Sequence, residues 1–149
     1  MRGRILVIGL VAILTAFGVA LWYFQNHAYY EELPQQPFFV QSTEYPVETW
    51  QGIDANTSPL KMRVCLTVTA QTAEQIALDQ VRQKPLEPLV APYWFDCFDA
   101  RQISRDLKSG AATLFMMGPA RMEGADLFLA LYPDGRGFAW SHLREEYRQ

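Results

Sequence analysis

Histidine and cysteine are scarce in this sequence: two of each in 149 residues. His27 and His142 stand alone. No C-x-x-C, no zinc-ligand spacing and no local Cys–His pair occurs, so neither a metal centre nor a thiol catalyst can be read from the chain. A Ser nucleophile elbow is also missing, and Gly135-Arg136-Gly137 is too short for a phosphate loop. No cofactor is expected. Basic residues are absent from the whole stretch between Arg4 and Lys61. Setting Arg2 and Arg4 aside, 11 basic and 16 acidic side chains leave a charge of −5 from Glu31 onward. An acidic domain without a Lys/Arg cluster excludes nucleic acid as a partner, because phosphate neutralisation needs such clusters. Internal repeats and low-complexity tracts are lacking as well.

Against these absences stands a long apolar run. Ile5 to Phe24 is 20 residues without a charge. As a helix it spans about 30 Å, the thickness of a bilayer's hydrocarbon core. Arg2 and Arg4 precede it, and the next basic residue is Lys61. This asymmetry predicts a cytoplasmic N-terminus (residues 1–4), a membrane-spanning helix (5–24) and an exported remainder. Trp22, Tyr23, Phe24, Tyr29 and Tyr30 suit the outer interface. Gly18-Val19-Ala20 resembles a signal-peptidase site, but the apolar run continues through Leu21-Trp22-Tyr23-Phe24, which favours an uncleaved anchor. Gly9, Ala12, Ala16 and Ala20 fall in one narrow stripe of the helix. Small residues at such spacing would let a second membrane helix dock closely.

Beyond the anchor, residues 25–48 carry Pro34, Pro37 and Pro46 and read as an interface segment and stalk. Phe38, Phe39, Val40 and Tyr45 are too apolar for a bare linker, which predicts that part of this segment lies on the domain. Trp50 to Pro59 is rich in turn residues. The domain proper is expected over 49–143. Lys61 to Ala70 alternates as a strand, with Met62, Val64, Leu66 and Val68 inward and Arg63, Cys65 and Thr67 on the more polar side. Thr72 to Gln75 predicts a capping box and a helix over about 73–83. Asp96 or Asp99 can cap a second helix that ends at Gly110. Strands are expected at 112–117, 126–132 and 137–143, the last two joined by Pro133-Asp134-Gly135-Arg136. The tail, 144–149, is charged and expected to fray. The fold class is therefore α+β: an N-terminal transmembrane helix, then an antiparallel sheet of about four strands with one or two helices.

The densest stretch is Ala91-Pro-Tyr-Trp-Phe-Asp-Cys-Phe-Asp-Ala100, with four aromatics, two carboxylates and one cysteine. In an oxidising compartment Cys65 and Cys97 read as a disulfide that ties the first clear strand to this stretch. Trp94, Phe95 and Phe98 are core side chains or, if exposed, partner contacts. Asp96 and Asp99 could share a helix face for acid–base work, although helix capping explains them more simply. Met62, Met116, Met117 and Met122 read as core filling rather than a soft-metal site.

Several segments resemble an uncharacterised family of short, single-span envelope proteins of alphaproteobacteria. They are Ala28-Tyr-Tyr-Glu-Glu32, Ile53-Asp-Ala55 with Ser58-Pro59, Cys65, the run from Ala91 to Ala100, and Asp134-Gly-Arg-Gly137 followed by Trp140. The resemblance implies an anchored, exported domain with a bridge and supplies no chemistry. The expected localisation is the bacterial inner membrane, with the C-terminal domain in the periplasm. The expected function is that of a non-enzymatic accessory subunit or assembly factor of an inner-membrane complex, respiratory or other, whose partners are the bilayer and another membrane protein. The alternative is a periplasmic ligand-binding or sensory domain, which a concave apolar pocket with convergent polar groups would favour.

Overall fold

The charge-free run forms a single helix, α1 (Arg2–Asn26). The computed structural model describes residues 2–147 and separates into two units, Met1–Tyr30 and Glu31–Gln149. Met1 of the expected cytoplasmic segment, and Arg148 and Gln149 of the expected tail, lie outside the described residues. Gly3–Asn26 is long and apolar enough to cross a membrane, and its residues through Gln25 are exposed. The helix stops where His27 and Ala28 both donate their backbone N–H to the Tyr23 carbonyl, at 2.9 and 3.0 Å. Tyr29 then turns left-handed at φ 74°. Here the interface aromatics gather: the His27 ring lies 5.1 Å from Trp22 and 6.0 Å from Tyr23, and Phe24 stacks on Tyr29 at 6.1 Å.

The second unit is α+β, but its sheet has seven strands instead of the four expected. These are β1 (Glu31–Leu33), β4 (Thr49–Asp54), β5 (Arg63–Thr67), β6 (Arg82–Gln83), β7 (Thr113–Pro119), β8 (Ala125–Leu131) and β9 (Arg136–Leu143). They lie in the order β1-β4-β5-β9-β8-β7-β6, and every pairing is antiparallel. A separate hairpin, β2 (Phe38–Val40) with β3 (Thr43–Tyr45), forms within the stretch read as a stalk. Its Phe38, Val40 and Tyr45 are buried in the core, while Phe39 is exposed. Two helices follow, α2 (Ala70–Asp79) and α3 (Ala100–Ser109).

The three extra strands are short or rich in turn residues, and pairing creates them. Gly52 and Asp54 look like turn residues in isolation, yet β4 is held on both sides, by β1 and β5. Gly52 lets the neighbours approach closely: a Cβ would sit 3.1 Å from the Leu33 Cβ and 3.1 Å from the Trp50 indole nitrogen. That nitrogen donates to the Leu33 carbonyl at 3.1 Å, so the indole lies over the bare glycine. At the other edge, Arg82 and Gln83 pair with Phe115 and Leu114. Tertiary pairing thus claims the end of what local pattern assigns to a helix running to Gln83. The helix start also moves. Thr69, not Thr72, is the N-cap of α2, its hydroxyl accepting from the Thr72 N–H at 3.1 Å. The residues after β5 therefore feed straight into the helix.

Register sorts the side chains into two buried faces. Val64, Ala139, Leu129 and Phe115 align across β5, β9, β8 and β7. With Leu66, Val68, Leu131, the β2–β3 hairpin and Ala73 and Ile76 of α2, they form the main core. The opposite face carries Cys65, Phe138, Ala130 and Leu114 in one row, and Arg63, Trp140 and Phe128 in the next. Phe98 covers this face, its ring 6.1 Å from Phe138 and 6.4 Å from Trp140, both edge-on. Helix α3 buries Ala100, Ile103 and Leu107. Asp99 caps it by accepting from the N–H groups of Arg101 and Gln102, each at 3.0 Å, and Gly110 ends it at φ 81°. Since α3 begins at Ala100, Asp96 and Asp99 share no helix face.

Tyr132 connects α3 to the sheet: its hydroxyl donates to Asp106 Oδ2 at 2.6 Å. Burial, with the Asp106 bond second, pushes this phenol well above its ordinary value near 10. In the unfolded chain the phenol ionises above about pH 10, while in the fold it stays neutral. Its contribution is therefore complete below about pH 10 and is lost as pH rises beyond it. Tyr132→Phe is expected to flatten the fall in unfolding midpoint between about pH 10 and 11.5, measured by thermal scans. An unchanged slope would assign that fall to other groups.

Candidate functional site

The segment that covers the second sheet face is built to resist regular structure. Pro85, Pro88 and Pro92 fall within eight residues and remove three backbone donors. No helix or strand forms between Gln83 and Ala100, so the segment's position depends on side-chain tethers. The first is covalent: Cys65 on β5 is bonded to Cys97, with Cα atoms 6.3 Å apart. The second is Arg63, two residues earlier. Its Nε donates to the Leu89 carbonyl at 3.0 Å, and Nη1 donates to the carbonyls of Leu60 and Met62 at 2.8 and 2.6 Å. Nη2 reaches the Val90 carbonyl at 3.5 Å. The guanidinium also lies 5.6 Å from the Phe98 ring centre. The third is an exposed ion pair between Lys108 and Glu87, whose ammonium holds the Glu87 carboxyl below its ordinary range. Such a surface pair adds little by itself.

Arg63 overturns one expectation. Alternation places it on the wet side of β5, yet it is only 3% exposed. The fork of donors on a planar guanidinium suits this position, because it can serve carbonyls from two different segments at once.

The tethers also decide between the two readings of the aromatic stretch. Phe95 and Phe98 are buried in the domain, so they are packing residues and not partner contacts, and Trp94 is half-buried. What the segment does present outward is Leu89, Val90 and Tyr93, at 47%, 77% and 62% exposure. Carbonyls bonded to Arg63 fix the backbone at Leu89, and a turn from the Phe95 N–H to the Pro92 carbonyl (2.9 Å) fixes it after Tyr93. The result is an apolar ridge on a pinned backbone. Sequence reasoning comes within about five residues of this ridge: it reads Phe95 and Phe98 as core, or as partner contacts if exposed, and passes over Leu89, Val90 and Tyr93. The signal for the outward set is the Pro spacing, which removes the backbone donors that a strand or helix would need to bury these residues.

On α1, the stripe of Gly9, Ala12, Ala16 and Ala20 is exposed, and a Cβ at Gly9 would meet nothing within 4 Å. Among the described residues, no group of three or more His, Cys, Asp or Glu side chains is placed to hold a metal ion.

Residues 38–149 match a family of unknown function (DUF6446). That match includes both cysteines, Arg63 and the whole ridge, and it begins beyond α1. No curated protein and no solved structure matches the chain.

Proposed function

We propose, given that the chain belongs to this family of unknown function, that it is a membrane-anchored accessory protein without catalysis of its own. Its N-terminus faces the cytoplasm, α1 spans the inner membrane, and the α+β unit is periplasmic. The partner is a second inner-membrane protein, engaged through the ridge Leu89, Val90 and Tyr93. The observation that carries this reading is the rigidity of that ridge. Exposed apolar side chains usually sit on backbone that is either regular or mobile. Here an irregular segment is held by a disulfide and a buried guanidinium, while its apolar side chains remain outside. Preorganisation of this kind lowers the entropy cost of association. The charge asymmetry around α1 supports the orientation, and the stripe through Ala16 offers a second contact inside the bilayer.

The test is extraction of native membranes in mild detergent, purification through a tag, and mass spectrometry of what accompanies the chain. A stoichiometric membrane partner is expected. Val90→Glu should reduce its recovery at least about tenfold, as loss of a central contact does, while the thermal midpoint stays unchanged because Val90 is exposed. Ala16→Leu should weaken the same complex to a lesser degree. A chain that purifies alone and monodisperse overturns the proposal.

A further inference from the structure

On the sheet face opposite Arg63, at the end of the main core, lies a cavity of about 150 Å³. Its floor is one cross-strand row. The pairings Ile53↔Arg63, Arg63↔Trp140 and Leu127↔Ser141 place Asp54, Met62, Ser141 and Leu127 side by side. Trp50, fixed over Gly52, closes one wall, and Arg121 and Met122 close another. The floor contains a group that should not be idle. Ser141 is 1% exposed, and its hydroxyl has no hydrogen-bond partner within the protein. Buried polar groups are nearly always satisfied, so one on a residue that lines a cavity asks for a partner there.

Two charged side chains line the same cavity, Asp54 and Arg121. The Asp54 carboxylate is mostly buried and rigid, its Oδ1 accepting from the Ala55 N–H at 2.8 Å. Arg121 approaches the other Asp54 oxygen only to 3.5 Å and is largely exposed, so it is free to turn toward a better anion. Asp54 and Ser141 stand on strands separated by two spacings, roughly 9.6 Å between backbones. An ammonium and a carboxylate on one carbon, each adding one hydrogen bond, bridge such a gap. The rest of the lining is mostly thioether and aliphatic, from Met62, Met122, Leu33 and Leu127, with Gln36 and Ser58 as its other polar members. A cavity of this size holds a benzene-sized guest, about six to eight non-hydrogen atoms.

We infer that this cavity binds a small zwitterion, an α-amino acid with a short aliphatic side chain. Asp54 receives the ammonium, and Ser141 and Arg121 donate to the carboxylate. The side chain lies between Met62, Met122 and Leu127. This site is separate from the ridge and does not depend on the accessory role.

Isothermal titration of the full chain in detergent with L-alanine and L-valine tests it. Propionate and isobutylamine, which each keep one of the two charges, serve as controls. Saturable binding of at least one amino acid is expected, with both controls at least about tenfold weaker. Arg121→Gln and Ser141→Ala should each weaken it at least about tenfold. The Ser141→Ala midpoint of thermal unfolding should not fall, since an unsatisfied hydroxyl is removed. Absence of binding by both amino acids at about 10 mM, equal binding of either control, or unchanged affinity in folded Ser141→Ala and Arg121→Gln proteins each overturns the inference.

Discussion

Replacing both cysteines, Cys65→Ser with Cys97→Ser, is expected to lower the stability of the second unit by about 3.5–4 kcal/mol, from the chain-entropy relation for a closed loop of this length. The cysteines are 32 residues apart in sequence. Within that loop lie α2, the edge strand β6 and the whole Pro-rich segment, so reduction frees more than a turn. In the native protein the bridge limits excursions of residues 84–98, which have no ladder or helix of their own. Without it, the same residues depend on Arg63 and on the burial of Phe95 and Phe98. For a unit of about 120 residues, a loss of this size lowers the thermal midpoint on the order of 10–15 °C. Urea unfolding of the detergent-solubilised chain, followed by tryptophan fluorescence with and without reductant, measures it. A midpoint indifferent to reductant would show that the segment is held by packing alone.

What is legible in the sequence follows the range of the forces involved. The caps of α3, Asp99 and Gly110, are local, and so they are readable. The hairpin at Pro133 to Arg136 is readable for the same reason: Gly135 adopts φ 95°, and the Tyr132 N–H donates to the Arg136 carbonyl at 2.9 Å. The pairing of two lone cysteines needs only the arithmetic of two. Strand β4 is not readable, because Gly52 weakens it locally and neighbours on both sides create it. The two-sided burial of β5 escapes for a related reason. Its second face looks polar, and only a segment 26 residues further on, whose carbonyls turn toward Arg63, makes that face dry. Ser141 illustrates the same limit in the candidate cavity. Nothing within β9 distinguishes it from a solvent-facing serine; its burial comes from the row it shares with Leu127 and from the loops above.

Arg63→Met, finally, is expected to cost about 3 kcal/mol and to separate the two roles assigned to the covering segment. Methionine keeps much of the volume and the contact with the Phe98 ring. It removes every donor, so the carbonyls of Leu60, Met62 and Leu89 lose a charge-assisted bond. The disulfide stays closed, and the fold therefore persists at ordinary temperature. What is lost is the pin at Leu89. Cleavage by chymotrypsin within residues 84–92 should accelerate strongly, while β8 and β9 stay resistant. Partner recovery should fall as well, although no ridge side chain has changed. Ordering three side chains on loosened backbone costs roughly 0.5–1.5 kcal/mol each, which corresponds to about ten- to a thousandfold in affinity. Val90→Glu makes the complementary case: it should weaken association at least about tenfold with no change in cleavage elsewhere in the segment. Arg63→Lys retains the charge but not the planar fork, and falls between the two. If cleavage within 84–92 in Arg63→Met matched that of the unaltered chain, the guanidinium would be a packing residue only, and the ridge would owe its order to the disulfide.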